Sequence, residues 1–514
     1  MLAFVLAVAA LMSPEWKVEV QTDGVWREAP VRTIPVGAGV GQTPRTNGTA
    51  KATCDGLKWY CSMARAALCE VEWTRDLKVR VSHPGTLSVS PKSLGYGPYS
   101  GPSAEMTFAK PAKLLVKADG DNVHALSLLV TPPVPAPDTT GFRHVLRFPA
   151  GYHDVSNSSL IRPDAYGAPV VTIRESDTLV WLEKGARVCA AFDVRGGAKH
   201  VRIVGPGTVD LLARLPYFET GFREPMSEGG IREGSLPAVY IHERAEDVTV
   251  RDLTILADFR GVNARNARGI VLDNVNMFTS VVNADGVNVI NTDDLLTIDC
   301  YIRSQDDAWC AYNNCDSIVW LWDPPEYCTT RSCRNLRCYD STLISCCRTV
   351  VLGGHGTNNT ADRDVMEDVE VAHCTLLEAK GRKAKPKHAG YWSGMLRLLS
   401  QSEQLVHDIR FRDLDLEWDR NYVGQPVHLC VREAKSASYT ERGGYAIRNV
   451  LFEDVRFVDA PDPLPLKPYF SAPESGVDGF GIRDIVFRHV TINGRGIEDF
   501  GREQYGRVEG VSCH

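Results

Sequence analysis

A chain of 514 residues, 44% hydrophobic and 24% charged, has ordinary globular composition and is long enough for two domains or one long repeat array. Its net charge of −7 gives no electrostatic reason to expect nucleic acid as a partner. Residues 2–11 are uniformly apolar but much shorter than the ~20 residues of a membrane span, and no later segment is long and apolar enough to cross a bilayer.

That first run suits the hydrophobic part of a secretory signal, although no Lys or Arg precedes it. Residues 1–13 are therefore read as a signal peptide, and the mature protein is expected to be secreted or periplasmic and free of the membrane. Residues 14–138 follow as short alternating runs, such as Leu77-Lys-Val-Arg-Val81 and Lys113-Leu-Leu-Val-Lys117, broken by Gly and Pro turns. This pattern predicts an antiparallel β-sandwich. Pro132-Pro-Val-Pro-Ala-Pro-Asp138 reads as a stiff linker, because closely spaced prolines favour extended polyproline structure.

Residues 139–514 repeat one phrase. Copies are Val248-Thr-Val-Arg-Asp-Leu-Thr-Ile255, Ile270-Val-Leu-Asp-Asn-Val-Asn-Met277, Val369-Glu-Val-Ala-His-Cys-Thr-Leu376, Ile409-Arg-Phe-Arg-Asp-Leu-Asp-Leu416, Val450-Leu-Phe-Glu-Asp-Val-Arg-Phe457 and Ile485-Val-Phe-Arg-His-Val-Thr-Ile492. Most read as two short strands joined by a polar bend, with the apolar side chains on one side. The first two copies begin 270 − 248 = 22 residues apart, a solenoid period. A parallel β-helix is predicted, with longer loops leaving the later windings.

Of 15 cysteines, eight lie between Cys300 and Cys347. In an oxidising compartment this predicts disulfides within 310–347, with a further one among Cys54, Cys61 and Cys69. The spacing is not that of a zinc site, and no metal or cofactor is expected. The competing reading is that these thiols are core residues, since Cys is among the most buried residue types.

Three acids stand out in Asn283-Ala284-Asp285-Gly286 and Gln305-Asp306-Asp307, with Gly354-His355-Gly356 further on. Any one of these Asp residues reads most simply as a turn former. Together they say more, because Asp285 and Asp306 are 306 − 285 = 21 residues apart, about one winding. Stacking at the ~4.8 Å strand spacing would bring their carboxyl groups to one groove. Close like charges raise the pKa of one member, so one acid can hold a proton while another accepts one. Consecutive strand residues face opposite sides, so Asp306 and Asp307 can share the groove only at a bend or bulge.

Residues 141–500 resemble the polygalacturonase-type glycoside hydrolases of family 28 and their relatives in family 49, the dextranase and isopullulanase type. The likeness rests on Leu146-Arg-Phe-Pro-Ala-Gly-Tyr152, Leu182-Glu-Lys-Gly-Ala186, Val204-Gly-Pro-Gly-Thr-Val-Asp210 and the acidic and Gly-His-Gly motifs. The stretch from Val89-Ser-Pro-Lys-Ser-Leu-Gly95 through Ala112-Lys-Leu-Leu-Val116 to Leu126-Ser-Leu-Leu-Val130 is similar to the N-terminal sandwich of family 49. The Arg-x-Lys of family 28 survives only in part, with Arg397 kept and Leu399 where the lysine would stand.

The resemblance implies an all-β protein, a right-handed parallel β-helix behind an N-terminal β-sandwich, that hydrolyses a polysaccharide or oligosaccharide with inversion. Asp306 would be the general acid, Asp285 and Asp307 the pair that positions and deprotonates water, and His355 a support for the proton network. Asn283 and Arg397 would contact the sugar. A pectin-type substrate is implied by the motifs, and a neutral glucan by the family 49 likeness and the absent lysine.

Aromatic residues are the other sugar-binding material. Trp309, Trp320, Trp322, Tyr327, Tyr391 and Trp392 lie in or beside the long insertions, and Trp309, two residues past Asp307, is the foremost stacking candidate. The basic run Lys380-Gly-Arg-Lys-Ala-Lys-Pro-Lys-His388 reads as a solvated loop or as an aid to binding an acidic sugar. Two further classes share the architecture: a polysaccharide lyase, for which no basic catalytic pair is visible, and a glycan-binding solenoid without chemistry.

Overall fold

The computed structural model describes residues 12–37, 52–54, 57–59, 63–153, 161–163, 169–214, 237–257, 259–280, 284–313, 332–354, 364–378, 394–400, 404–418, 424–431, 445–464, 466–472, 474 and 480–514. Residues 1–11 of the signal reading, Asn283, His355, the run 380–388 and Trp320, Trp322, Tyr327, Tyr391 and Trp392 lie outside the described residues.

Two β-sheets come first. One orders the strands Val25–Ala29, Lys17–Thr22, Leu77–Ser82 and Ser103–Phe108, all antiparallel. The other orders Arg32–Gly37, Met63–Glu72, Asp121–Thr131, Ala112–Ala118 and Leu87–Ser90. Alternation places Val79, Val81 and Phe108 of the first against Leu114, Val116, Leu126 and Leu128 of the second in one buried core.

From His144 onward the chain winds into the predicted right-handed parallel β-helix. One winding comprises Arg268–Asp273, Asn276–Thr279 and Val287–Ile290, and the next Asp293–Ile298, Tyr301–Ser304 and Trp309–Tyr312. Corresponding strands pair in parallel, with Ile270 on Leu295, Met277 on Ile302 and Val289 on Ala311. The repeated phrase owes its bend to its fifth residue. Asp252, Asn274, His373, Asp413, Asp454 and His489 all have φ between 47° and 59°, a region that Asp, Asn and His enter more readily than other side-chain-bearing residues.

Inward side chains stack from winding to winding. Phe411, Phe452 and Phe487 show the period directly, with ring centroids 5.0 and 4.8 Å apart and rings within 12° of parallel.

The five-stranded sheet of the sandwich has a second apolar face, which covers one flank of the solenoid. Leu68, Leu115 and Leu129 pack there on Leu256, Phe278, Tyr301 and Leu377. Polar contacts fix the alignment. Ser127 Oγ and Tyr301 OH are 2.8 Å apart, and the buried Arg303 guanidinium donates to the carbonyls of Asn122 and Val123 at 2.8 and 2.5 Å. Burial lowers the Arg303 pKa from its ordinary value. Arg303 lies two residues before Gln305-Asp306-Asp307, so the sandwich braces the acidic bend from behind.

For the described cysteines the disulfide expectation is corrected. Cys310, Cys333 and Cys338 are free and buried, Cys346 and Cys347 are buried, and Cys69 is also free. Cys333 and Cys338 point into the solenoid core, and Cys69 into that of the sandwich. The thiol of Cys333 donates to the Tyr312 carbonyl at 3.2 Å, and burial pushes its pKa up to about 12. For these residues the packing reading was the right one. Cys61, Cys315, Cys328 and the side chain of Cys54 lie outside the described residues.

Candidate active site

The site stands on the sheet formed by the third strand of each winding. In Val287–Ile290, Trp309–Tyr312, Val350–Gly353 and Leu396–Ser400, alternate residues enter the core. The others form an outward column in which Asn263, Asn288, Cys310, Val351, Arg397 and His428 are successive register partners.

Just ahead of these strands, four charged residues occupy corresponding positions. The ladder bonds Gly261 N to Asp285 O, Gly286 N to Asp307 O and Ala308 N to Arg348 O run at 3.0, 2.9 and 2.9 Å. They align Arg260, Asp285, Asp307 and Arg348 on four adjoining windings. The stack is a cation, two acids and a cation. Asp285 therefore lies beside Asp307, 307 − 285 = 22 residues on, with Asp306 one step earlier on the same bend.

The bend resolves the parity problem. Residues 305–308 are not in a strand, and the backbone there is held by hydroxyls. Ser304 Oγ and Ser345 Oγ each donate to the Asp306 carbonyl at 2.7 Å, and Gln305 N donates to Thr279 Oγ1 at 3.2 Å. Gly286 is required by close approach, since a Cβ there would lie 2.3 Å from Ile302 Cγ2 and 2.5 Å from the Ala308 carbonyl oxygen.

All three acids are buried, with Asp285, Asp306 and Asp307 at 5%, 7% and 1% exposure. Asp285 accepts from Asn288 Nδ2 at 2.6 Å and forms an ion pair with Arg260 at 3.1 Å. Asp307 is gripped side-on by Arg348, Nε to Oδ1 at 2.7 Å and Nη2 to Oδ2 at 2.9 Å, while Tyr312 OH donates to Oδ2 at 2.9 Å. Arg348 also stands 3.9 Å from Asp306. Burial, opposed by Arg260 and reinforced by the Asp306 and Asp307 charges, pushes the Asp285 pKa up to about 7. The like charges expected to drive this shift contribute less than desolvation does.

Oxygens of Asp285 and Asp307 and the Cys310 sulfur lie within 4.8 Å of one another, as do ligand atoms of Asp306, Asp307 and Cys347. Such donor sets could bridge a cation, but the Arg260 and Arg348 guanidiniums already supply positive charge to these acids.

Trp309 is a correction. It is fully buried in the solenoid core, and its Nε1 donates to Thr297 Oγ1 at 3.1 Å. Alternation counted from Asp307 fails because the strand starts only at Trp309, after the bend. It cannot stack on a sugar.

Arg397 does face outward, in the column of Asn288 and Cys310, but it is 2% exposed. Leu399, two residues on in the same strand, is also buried. Of the Gly-His-Gly, Gly354 is described, its N–H donating to Gln404 Oε1 at 2.8 Å.

Sequence reasoning missed Arg260, Arg348, Asn288 and Tyr312. A signal existed for the arginines. Arg260-Gly-Val, Asp285-Gly-Val, Asp307-Ala-Trp and Arg348-Thr-Val are one motif, a charged residue, a small one, then the first core residue of the strand.

Fold and site together define a right-handed parallel β-helix protein with an acid trio on its outer face. Among solved structures the chain is similar to Dex49A from Penicillium minioluteum, at 12% identity over 94% of this chain and 89% of that one, with a TM-score of 0.54. An exopolygalacturonase from Thermotoga maritima matches at 11% identity over 72% and 83%, with a TM-score of 0.47. The catalytic domain of a GH87 alpha-1,3-glucanase matches at 12% over 98% and 86%, with a TM-score of 0.43. At such identities the likeness is one of fold. No family model matches the chain, and no curated protein matches it in sequence.

Proposed function

We propose that this protein is an inverting glycoside hydrolase acting on a polysaccharide or oligosaccharide. The observation that carries the reading is the convergence of Asp285, Asp306 and Asp307 from adjoining windings, each within ion-pair distance of Arg260 or Arg348. The parallel β-helix shared with Dex49A supports it as a matter of architecture.

Hydrolysis with inversion requires a protonated group at the leaving oxygen and a base holding water on the opposite face of the sugar. Asp285 and Asp307 stand close enough to hold one water between them, and Asp306 takes the role of acid. Water loses a proton to the pair while its oxygen bonds to the anomeric carbon. The glycosidic C–O bond breaks, its electrons pass to the leaving oxygen, and that oxygen takes the proton of Asp306. His355 and Asn283 are assigned supporting roles, the first in the proton network and the second in holding the sugar.

The motifs favour a pectin-type substrate. A second reading, a neutral glucan, is favoured by a specific observation. Among the described residues near the acids, Arg260 and Arg348 are committed to carboxylates, Arg397 is buried, and Leu399 stands where a second cation would grip a uronate. A polymeric substrate agrees with export of the protein, which we also propose.

The test is incubation with polygalacturonate, rhamnogalacturonan, dextran and pullulan, with products resolved by chromatography and their first-formed anomer read by NMR. New reducing ends of inverted configuration support the proposal. Release with new absorbance from an unsaturated product would make the protein a lyase, and binding without release a glycan-binding solenoid.

A further inference from the structure

Asp285 and Asp307 are both buried, carry the same chemistry and occupy the same place on adjoining windings, yet their donors differ. Asp307 receives three hydrogen bonds, two from Arg348 and one from Tyr312. From the described residues Asp285 receives one, from Asn288, plus the Arg260 ion pair. We propose, building on the hydrolase reading, that Arg348 and Tyr312 are positioning residues that divide the labour of the acid pair. Their grip keeps Asp307 as the proton-accepting carboxylate and leaves the pair's single proton on Asp285.

Each carboxylate oxygen offers two acceptor directions. Among the described residues, Oδ2 of Asp307 has both filled, by Arg348 Nη2 and Tyr312 OH, whereas Oδ1 has one filled, by Arg348 Nε. A single open direction remains on Oδ1, which is where a proton from water is accepted. A protonated Asp307 would offer fewer acceptor sites to these donors, and the Arg348 cation would face a neutral partner in a dry site. Asp285 can be protonated at lower cost, because one of its oxygens accepts no hydrogen bond from a described residue. Its elevated pKa, raised first by burial, agrees with this division. Asp285 then donates its hydrogen bond to the water that Asp307 deprotonates. Water's O–H bond breaks toward Asp307 Oδ1, and the freed electron pair attacks the anomeric carbon. The Asp285 proton stays in place throughout.

Both positioning residues can be tested without removing an acid. Arg348→Met removes the charge at similar length, Arg348→Lys returns the charge without the side-on grip, and Tyr312→Phe removes one donor with little change of shape. The kcat/KM of each is followed from pH 4 to 9 on whichever glycan the wild type cleaves.

The acidic limb, where the base becomes protonated, should move upward by about one pH unit or more in Arg348→Met. Tyr312→Phe should show a smaller shift in the same direction, and Arg348→Lys should restore most of the wild-type profile. A lower rate with an unshifted profile in both Arg348→Met and Tyr312→Phe would reduce these residues to packing and overturn the proposal. If Arg348→Met fails to fold, Tyr312→Phe decides alone.

If the wild type cleaves no glycan, the hydrolase reading fails separately. The division of the proton is then read from the unfolding midpoint. Arg348→Met should lose stability more steeply with rising pH than the wild type, and an identical slope would overturn it.

Discussion

Asp285→Asn should stabilise the protein above neutral pH. An unfolded Asp titrates near 3.8, and burial pushes the folded Asp285 up to about 7. The folded state therefore binds the extra proton between these values, so this group's contribution to stability is largest below pH 3.8, falls as pH rises, and levels off above 7. A difference of about 3 units at 1.36 kcal/mol each comes to about 4 kcal/mol for keeping this carboxylate ionised at pH 8.5. An asparagine has the same shape and no charge, and its carbonyl can accept from Asn288 as Oδ2 now does. The opposing pull of Arg260 is already contained in that pKa, so a net stabilisation of up to about 4 kcal/mol is expected at pH 8.5, shrinking toward zero at pH 4. Denaturant titration of both proteins at the two pH values measures this directly. An Asp285→Asn variant that is less stable than the wild type at pH 8.5 would refute the reasoning, because the carboxylate would then be worth more ionised than neutral.

Trp309→Phe should leave KM for any glycan substrate within about twofold, while Trp309→Ala should lower stability by about 3–5 kcal/mol, the usual range for emptying so large a core site. Arg303→Met should leave the Asn122 and Val123 carbonyls without their donor and cost about 1–3 kcal/mol in denaturant titration; because the acidic bend follows directly, kcat should fall with it. The thiols of Cys300, Cys310, Cys333 and Cys338 should resist a water-soluble thiol reagent in the native state and react after denaturation, since all four are buried and free.

The repeated phrase was legible because its polar pair encodes a geometric demand, a residue tolerant of positive φ between two strands with apolar faces, and Asp252, Asn274 and His373 meet it alike. The acid stack was legible through its period of about one winding, although the register sets Asp285 on Asp307 rather than on Asp306. Trp309 was misread because a side-chain parity carries through a strand and not through the bend that precedes it. Cys69, Cys310, Cys333 and Cys338 were misread because a count cannot tell a thiol buried in the core from one poised to pair. Arg260 and Arg348 escaped because a lone arginine carries no signal until the windings are aligned, at which point each falls on a carboxylate. Energetics explains why they are there, since two buried acids on adjoining strands need counter-charge to stay folded.

Turnover by Asp306→Asn tests the account most directly. The substitution keeps shape and removes the proton that the leaving oxygen must receive, so hydrolysis of a glycan cleaved by the wild type should fall by about 10³-fold or more, on the usual scale for losing an essential general acid, with the unfolding midpoint unchanged within error. A variant that retains near-normal turnover would contradict the account, because the acid trio would then not be the machinery that breaks the bond.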